Sequence, residues 1–243
     1  MSSRPNGHGT YCPVSLAAET VGERWTIPLL LALIDGYSRF NELRRAMPRI
    51  SPSTLSQRLQ HLEDAGVVAR SGSRDGGHRY DLTEAGHELE PIVRALGAWG
   101  QRWARDLAPE DLDTRSLGWS IHRRMDTDAM PPGRTVIEFD LDGEAAYSAP
   151  FWIVHEDGKV DVCIRHPGCD ADLTVRAELR RFVEVWRGFR SLEQEIARRR
   201  IRVQGPRELR RAFPRWLLLS ELAGVERRRP GTERRVYLRS AAR

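Results

Sequence analysis

Lysine is almost missing from this chain: of 39 basic residues only Lys159 is not arginine. Long apolar runs are missing too. The longest, Ile27 to Ile34, is interrupted by Pro28. A membrane helix needs about 20 apolar residues, so neither a transmembrane segment nor a membrane partner is expected. The opening MSSRPNGHGT has no apolar core, which argues against a signal peptide and reads as a flexible terminus over residues 1–10. Three cysteines, Cys12, Cys163 and Cys169, do not make a disulfide scaffold, and a cytoplasmic setting is the default. There is no Walker loop, no Gly-x-Ser-x-Gly and no HExxH. Asp126 and Asp128, and Glu193 and Glu195, have a spacing common on solvated surfaces. Cys163, His166 and Cys169 lie close in sequence, but zinc wants four ligands and no fourth is evident. No catalytic residue, metal site or cofactor is expected, and the chain reads as a non-enzyme.

What is present supports a packed fold. Hydrophobic residues make up 40% and charged residues 30% of the 243, a balance compatible with a core and against wholesale disorder. At about 150 residues per domain, the length suggests one large or two small domains. The net charge of +5 permits acidic partners without proving any. Its local distribution says more. Between Arg39 and Tyr80 eight arginines face only Glu42, Glu63, Asp64 and Asp75.

Periodicity and punctuation divide the chain. Pro13 can open a helix that ends at Gly22. Thr26 to Ile34 is apolar nearly all round, which suits a buried helix. A short helix over Phe40 to Met47 stops before Pro48. Ser51 reads as an N-cap, with Pro52 at the first helical position. That helix runs to Ala65, and Gly66 suits a left-handed C-cap. Val67 to Ser71 and His78 to Leu82 are strand-like, joined by a hairpin signal at 72–77. Thr83 caps a long helical stretch that Pro91 kinks or restarts. The composition changes at Leu107 to Asp111, which separates a domain over 11–106 from a second over 112–225, with a basic tail over 226–243.

The Ser51 to Ala65 helix carries the clearest chemistry. Leu55, Leu59 and Leu62 form one stripe. The opposite face bears Ser53, Ser56, Gln57, Gln60 and His61, with Arg58 at its edge. Hydroxyls and amides that both donate and accept suit base edges in a major groove. The preceding helix, the turn and the hairpin complete the pattern of a winged helix-turn-helix. Arg74 falls at the hairpin tip, with His78 and Arg79 on the return strand, placed for the DNA backbone or the minor groove. Ser51 and Thr54 complete the expected DNA-binding set.

Several motifs agree in order: Tyr11-Cys12-Pro13, Gly22-Glu23-Arg24-Trp25, Arg39 to Leu43, Ile50 to Leu59, and Tyr80 to Gly86. Together they resemble the HxlR-type winged helix-turn-helix transcriptional regulators, relatives of the MarR type. The likeness covers about residues 11 to 105. Where this chain has Glu23-Arg24-Trp25, the family usually has Gly-Lys-Trp. The resemblance implies a bacterial, nucleoid-associated homodimer that binds a pseudo-palindromic double-stranded DNA operator. By that likeness the first helix and the long helix after the hairpin make the dimer. The residues agree, because Leu89, Ile92, Leu96, Trp99 and Trp103 offer more apolar surface than a small wing can cover. In some such proteins the cysteine matching Cys12 is a redox sensor, and a helix N-terminus favours a reactive thiolate.

The second domain reads as strands at Thr135 to Leu141, Ala149 to His155, Val160 to Arg165 and Leu173 to Arg176. Helices follow at Ala177 to Trp186 and Ser191 to Arg199, then a strand at Ile201 to Gln204 and a helix from Pro206 to about Leu222. Its dense aromatics can enclose a cavity or fill a solid core. Asp161 to Cys163, Asp172 to Val175, Phe182 to Gly188 and Arg200 to Gly205 resemble the sterol-carrier-protein-type lipid-binding fold. That likeness implies an α/β domain, a mixed sheet with covering helices over an apolar tunnel. Phe139, Phe151, Trp152, Phe182, Trp186, Phe189, Phe213 and Trp216 would line a pocket for an apolar small molecule or lipid effector. The expected function is a dimeric DNA-binding transcriptional regulator sensing that effector. The alternatives are a Cys12 thiol sensor with a structural second domain, and a lipid carrier or enzyme whose first domain only dimerises.

Overall fold

The computed structural model describes residues 11–72 and 77–228; residues 1–10, the hairpin tip with Arg74, and residues 229–243 lie outside them. The chain divides into two compact units between Gly97 and Ala98, ahead of the composition change at Leu107. The division falls inside a helix because Gln101, ten residues before Asp111, is already buried in the second unit. Its Nε2 donates to the Arg187 carbonyl at 2.8 Å, and its Oε1 accepts from Arg187 Nε at 2.9 Å.

In the front unit Pro13 opens α1 (Pro13–Val21), none of whose residues is buried. Helix α2 (Thr26–Ile34) buries Leu29, Leu30 and Leu33, as expected of an apolar run. Helices α3 (Phe40–Ala46) and α4 (Pro52–Asp64) follow. The leucine stripe of α4, Leu55, Leu59 and Leu62, is fully buried. Gly66, at φ +71, stops the helix in a conformation an L side chain resists. Strands β1 (Val68–Gly72) and β2 (His78–Leu82) pair antiparallel, with Gly72 opposite His78. Strand β2 is also tied to the segment before α3, through Tyr80 N to the Ser38 carbonyl at 2.8 Å and a bridge between Arg39 and Arg79. Thr83 caps α5 (Glu84–Glu88) by accepting from Gly86 N at 3.2 Å. Pro91 then begins a new helix rather than a kink, α6 (Glu90–Trp103), because its ring is tolerated in a first turn.

The rear unit is a five-stranded mixed sheet with helices on one face. Helix α7 (Thr114–His122) precedes β3 (Arg134–Asp142), β4 (Phe151–Glu156), β5 (Lys159–Cys163) and β6 (Leu173–Glu178). Helices α8 (Leu179–Trp186) and α9 (Leu192–Ala197), β7 (Ile201–Gln204) and α10 (Arg207–Trp216) complete it. The strand order is β5-β4-β3-β6-β7; β3 and β6 run parallel and the other neighbours antiparallel. Ile137, Phe139, Phe151, Ile153, Leu173 and Val175 point to the helical face and share one core with Leu117, Phe182 and Phe213. Gly118 lets α7 approach the sheet: a Cβ there would lie 2.7 Å from the Phe151 ring.

Two terminal expectations are corrected. The last helix stops at Trp216, not near Leu222. Pro214 has no N–H to continue the ladder, and buried Leu217 instead bridges to Met125. The expected boundary of the basic tail at 226 is not a boundary of packing, because Arg227 is buried. Its guanidinium donates to the carbonyls of Gln101 at 3.1 Å and Ala104 at 2.5 Å, and to Asp106 at 3.0 Å. A cation at the C-terminal end of α6 is favourably placed against the helix dipole.

Candidate nucleic-acid interface

Helix α4 sets the site. Ser51 Oγ accepts from Thr54 N at 3.1 Å and lies 2.8 Å from Thr54 Oγ1 and 3.0 Å from Ser53 Oγ. These hydroxyls fix the helix start and its positive end. Ser53, Ser56, Gln57 and Gln60 recur at helical spacing and are all exposed. Gln60 Nε2 is held by Asp64 Oδ1 at 2.9 Å. Ser56 and Gln57 have no side-chain hydrogen bond among the described residues, so their donors and acceptors face solvent.

Arg58 and His61, expected among the DNA-contacting groups, both have partners within the protein. Arg58 Nε donates to the Arg24 carbonyl at 3.1 Å, and its guanidinium forms an ion pair with Glu23. His61 Nε2 lies 3.1 Å from the Thr20 carbonyl. Arg58 clamps the α1–α2 loop onto α4, and His61 ties α4 to the last turn of α1. The signal lay in Glu23, whose carboxylate is Arg58's partner, but the long separation in sequence hid the pairing. Of the wing residues, His78 is exposed, and Arg79 is half-exposed beside Asp81 at 3.6 Å. Arg74 lies outside the described residues.

The expected dimerisation residues separate in the same way. Ile92, Leu96, Trp99 and Trp103 are 54%, 46%, 59% and 43% exposed, at spacings of four, three and four along α6. Leu89 precedes that helix and is half-buried. Tyr11, Val14 and Leu16 around α1 are likewise exposed. At the head of α1, backbone N–H groups of Ser15 and Val14 hold the Cys12 thiol below its ordinary range.

The aromatics expected to line one pocket do not share one surface. Phe139 stacks on Phe151 at 4.8 Å and meets Phe182 edge-on at 5.6 Å; Phe213 packs on Phe139 and Trp216, each at 6.3 Å. These rings and Trp186 belong to the core. Trp152 follows Phe151 in the strand, so it points to the opposite face of the sheet, where it meets His166 at 5.3 Å. Phe189 lies between the cations of Arg187 and Arg227. Glu195, expected on a solvated surface, is buried and paired with Arg181 at 3.0 Å. Burial raises the Cys163 thiol, and Cys169 accepts from Arg134 Nη2 at 3.2 Å. Among the described residues no helix is long and apolar enough to cross a membrane.

A capped helix with an exposed amide face, pinned by the preceding loop and followed by a two-stranded wing, defines a winged helix-turn-helix. Residues 20–107 match the HxlR-like helix-turn-helix family. The uncharacterized HTH-type transcriptional regulator YdeP of Bacillus subtilis strain 168 is 37% identical over 94 residues, 38% of this chain and 73% of that protein. YybR of the same strain, described in the same words, is 39% identical over 99 residues, 40% of this chain and 78% of its own length. Among solved structures, the redox regulator HypR in its oxidized form is 39% identical, covers 40% of this chain and 100% of its own, and has a TM-score of 0.37. By its front unit, this chain belongs to the HxlR-like helix-turn-helix family.

Proposed function

We propose that the protein is a homodimeric transcriptional regulator that binds a pseudo-palindromic DNA operator through α4. The exposed, uncommitted amide and hydroxyl of Gln57 and Ser56 carry this reading, because such groups match the mixed donors and acceptors of base edges. Homodimerisation is supported by α1, a helix with no buried residue, and by the apolar stripe of α6. Operator selection from a random duplex pool tests the reading. Gln57→Ala should reduce discrimination at one base pair by about 1–3 kcal/mol. A selected consensus that is unchanged in this variant and in Ser56→Ala would refute base reading by α4.

A second reading concerns input. The lowered thiol of Cys12 favours thiolate chemistry. Iodoacetamide should modify Cys12 at lower pH than Cys163, and Cys12→Ser should abolish a thiol-dependent loss of operator binding. The apolar-effector reading rests on two buried N–H donors without acceptors. Trp216 Nε1 is one, and His155 Nδ1 is the other, since its Nε2 accepts from Gly158 N at 3.2 Å. The sterol-carrier-like identity is supported by the mixed sheet and covering helices. An effector oxygen could satisfy the orphaned donors, provided the stacked rings part to admit it. Native mass spectrometry of the purified dimer tests for such a molecule.

A further inference from the structure

Several arginines elsewhere in the rear unit have acidic partners. Arg115 pairs with Asp113 at 2.7 Å, Arg176 with Asp140 at 3.0 Å, and Arg181 with Glu195 at 3.0 Å. Between residues 198 and 215 the pattern reverses. Eight arginines occur there with Glu208 as the sole acid, all eight are exposed, and none has an ion pair or side-chain hydrogen bond among the described residues. Four of them, Arg207, Arg210, Arg211 and Arg215, recur at helical spacing on α10. Opposite them, Phe213 and Trp216 are fully buried in the core. The outward stripe runs about 12 Å along the helix axis at ~1.5 Å per residue. The other four lie at 198–202, at the end of α9 and on the edge strand β7.

Like charges four residues apart on a helix, as in Arg207/Arg211 and Arg211/Arg215, repel one another. They fit a partner with closely spaced anionic oxygens. Duplex DNA carries one charge per ~1.7 Å of its axis, so the stripe spans about seven phosphates. Arginine also suits phosphate, because its planar fork donates two parallel hydrogen bonds. A membrane is disfavoured: surface-bound helices insert an apolar face, and the apolar face of α10 is already occupied. A protein partner is disfavoured as well, because stable interfaces centre on apolar anchors, and residues 198–215 expose no large hydrophobic side chain.

We propose that the α10 stripe, flanked by the arginines at 198–202, binds the phosphate backbone of double-stranded DNA without reading its sequence. The rear unit would then supply a second DNA contact, independent of base recognition by α4.

The test uses the full chain and a fluorescein-labelled duplex of random sequence, with Kd measured against potassium chloride concentration. Replacing the four stripe arginines by glutamine should make the log Kd–log salt slope shallower by about 3 to 4, at ~0.9 per lost phosphate contact. Circular dichroism should show an unchanged fold. The double variant Arg207→Gln/Arg211→Gln should lose about half as much slope, which guards against misfolding of the quadruple one. Four lysines should keep the wild-type slope. Gln57→Ala should keep it too, which separates this contact from base reading. The proposal fails if the folded glutamine variants keep the wild-type slope, or if the full chain binds no random duplex. It also fails if the stripe instead governs binding to phosphatidylserine vesicles while duplex binding ignores it.

Discussion

Helices α4 and α10 share a plan and differ in what they turn outward. Helix α4 buries Leu55, Leu59 and Leu62 and exposes hydroxyls and amides. Helix α10 buries Phe213 and Trp216 and exposes guanidinium groups. Groups that both donate and accept can tell one base edge from another, whereas groups that only donate suit phosphates of any sequence. Arg58 shows how finely the distinction runs. It stands on α4 and is basic, yet its ion pair with Glu23 makes it part of the scaffold. Net charge along a segment therefore does not locate a phosphate-binding surface.

The largest expected effect lies in the core beneath α10. Phe139→Ala should lower the unfolding free energy by about 3–5 kcal/mol in urea denaturation, because the ring contacts Phe151, Phe182 and Phe213. A much smaller loss would mean that the rings are loosely packed, which would strengthen the effector reading. Next comes the exposed stripe of α6. Leu96→Glu/Trp99→Glu should weaken self-association by at least about 2 kcal/mol, roughly 30-fold, as removal of an interface anchor does. Light scattering over a dilution series would read it, and an unchanged oligomeric state would remove that face from the dimer.

Smaller effects refine the picture of α4. Ser51→Ala should cost about 0.5–2 kcal/mol of stability by removing the cap on Thr54 N, with operator preference retained. The least effect is expected at His122. Burial holds its imidazole below the ordinary value of 6.5. Below that pH the unfolded chain takes up a proton that the folded chain resists, so stability falls as pH drops from about 6.5 toward the folded value. His122→Gln should flatten this part of a pH–stability profile.

The elements of the front unit were readable from local punctuation. Pro13, the Ser51-Pro52 pair, Gly66 and Thr83 each act within one turn, so their consequences survive without tertiary information. The strands of the rear sheet were readable as well, through strand-like runs around Phe139, Ile153, Val162 and Val175, whereas its mixed order was only what the sterol-carrier-type likeness implied. Side-chain roles were harder. Phe151 and Trp152 are neighbours in sequence, and only strand alternation sends them to opposite faces. Arg227 read as part of a basic tail, and only the folded chain placed the carbonyls of Gln101 and Ala104 around it.

By itself, then, the sequence determined which segments form helices and strands and which stripe of α4 is apolar, because capping, proline geometry and periodicity are short-range effects. Tertiary structure decided which of the polar and charged groups are committed. Arg58 holds the α1–α2 loop, His61 holds the end of α1, Gln101 and Arg187 hold each other, and Glu195 is buried against Arg181. Each of these pairings joins residues at least 14 positions apart. Long-range hydrogen bonds form only once packing has brought the partners together, so the side chains left exposed without one, Gln57 on α4 and the arginines of α10, emerged only in the folded chain.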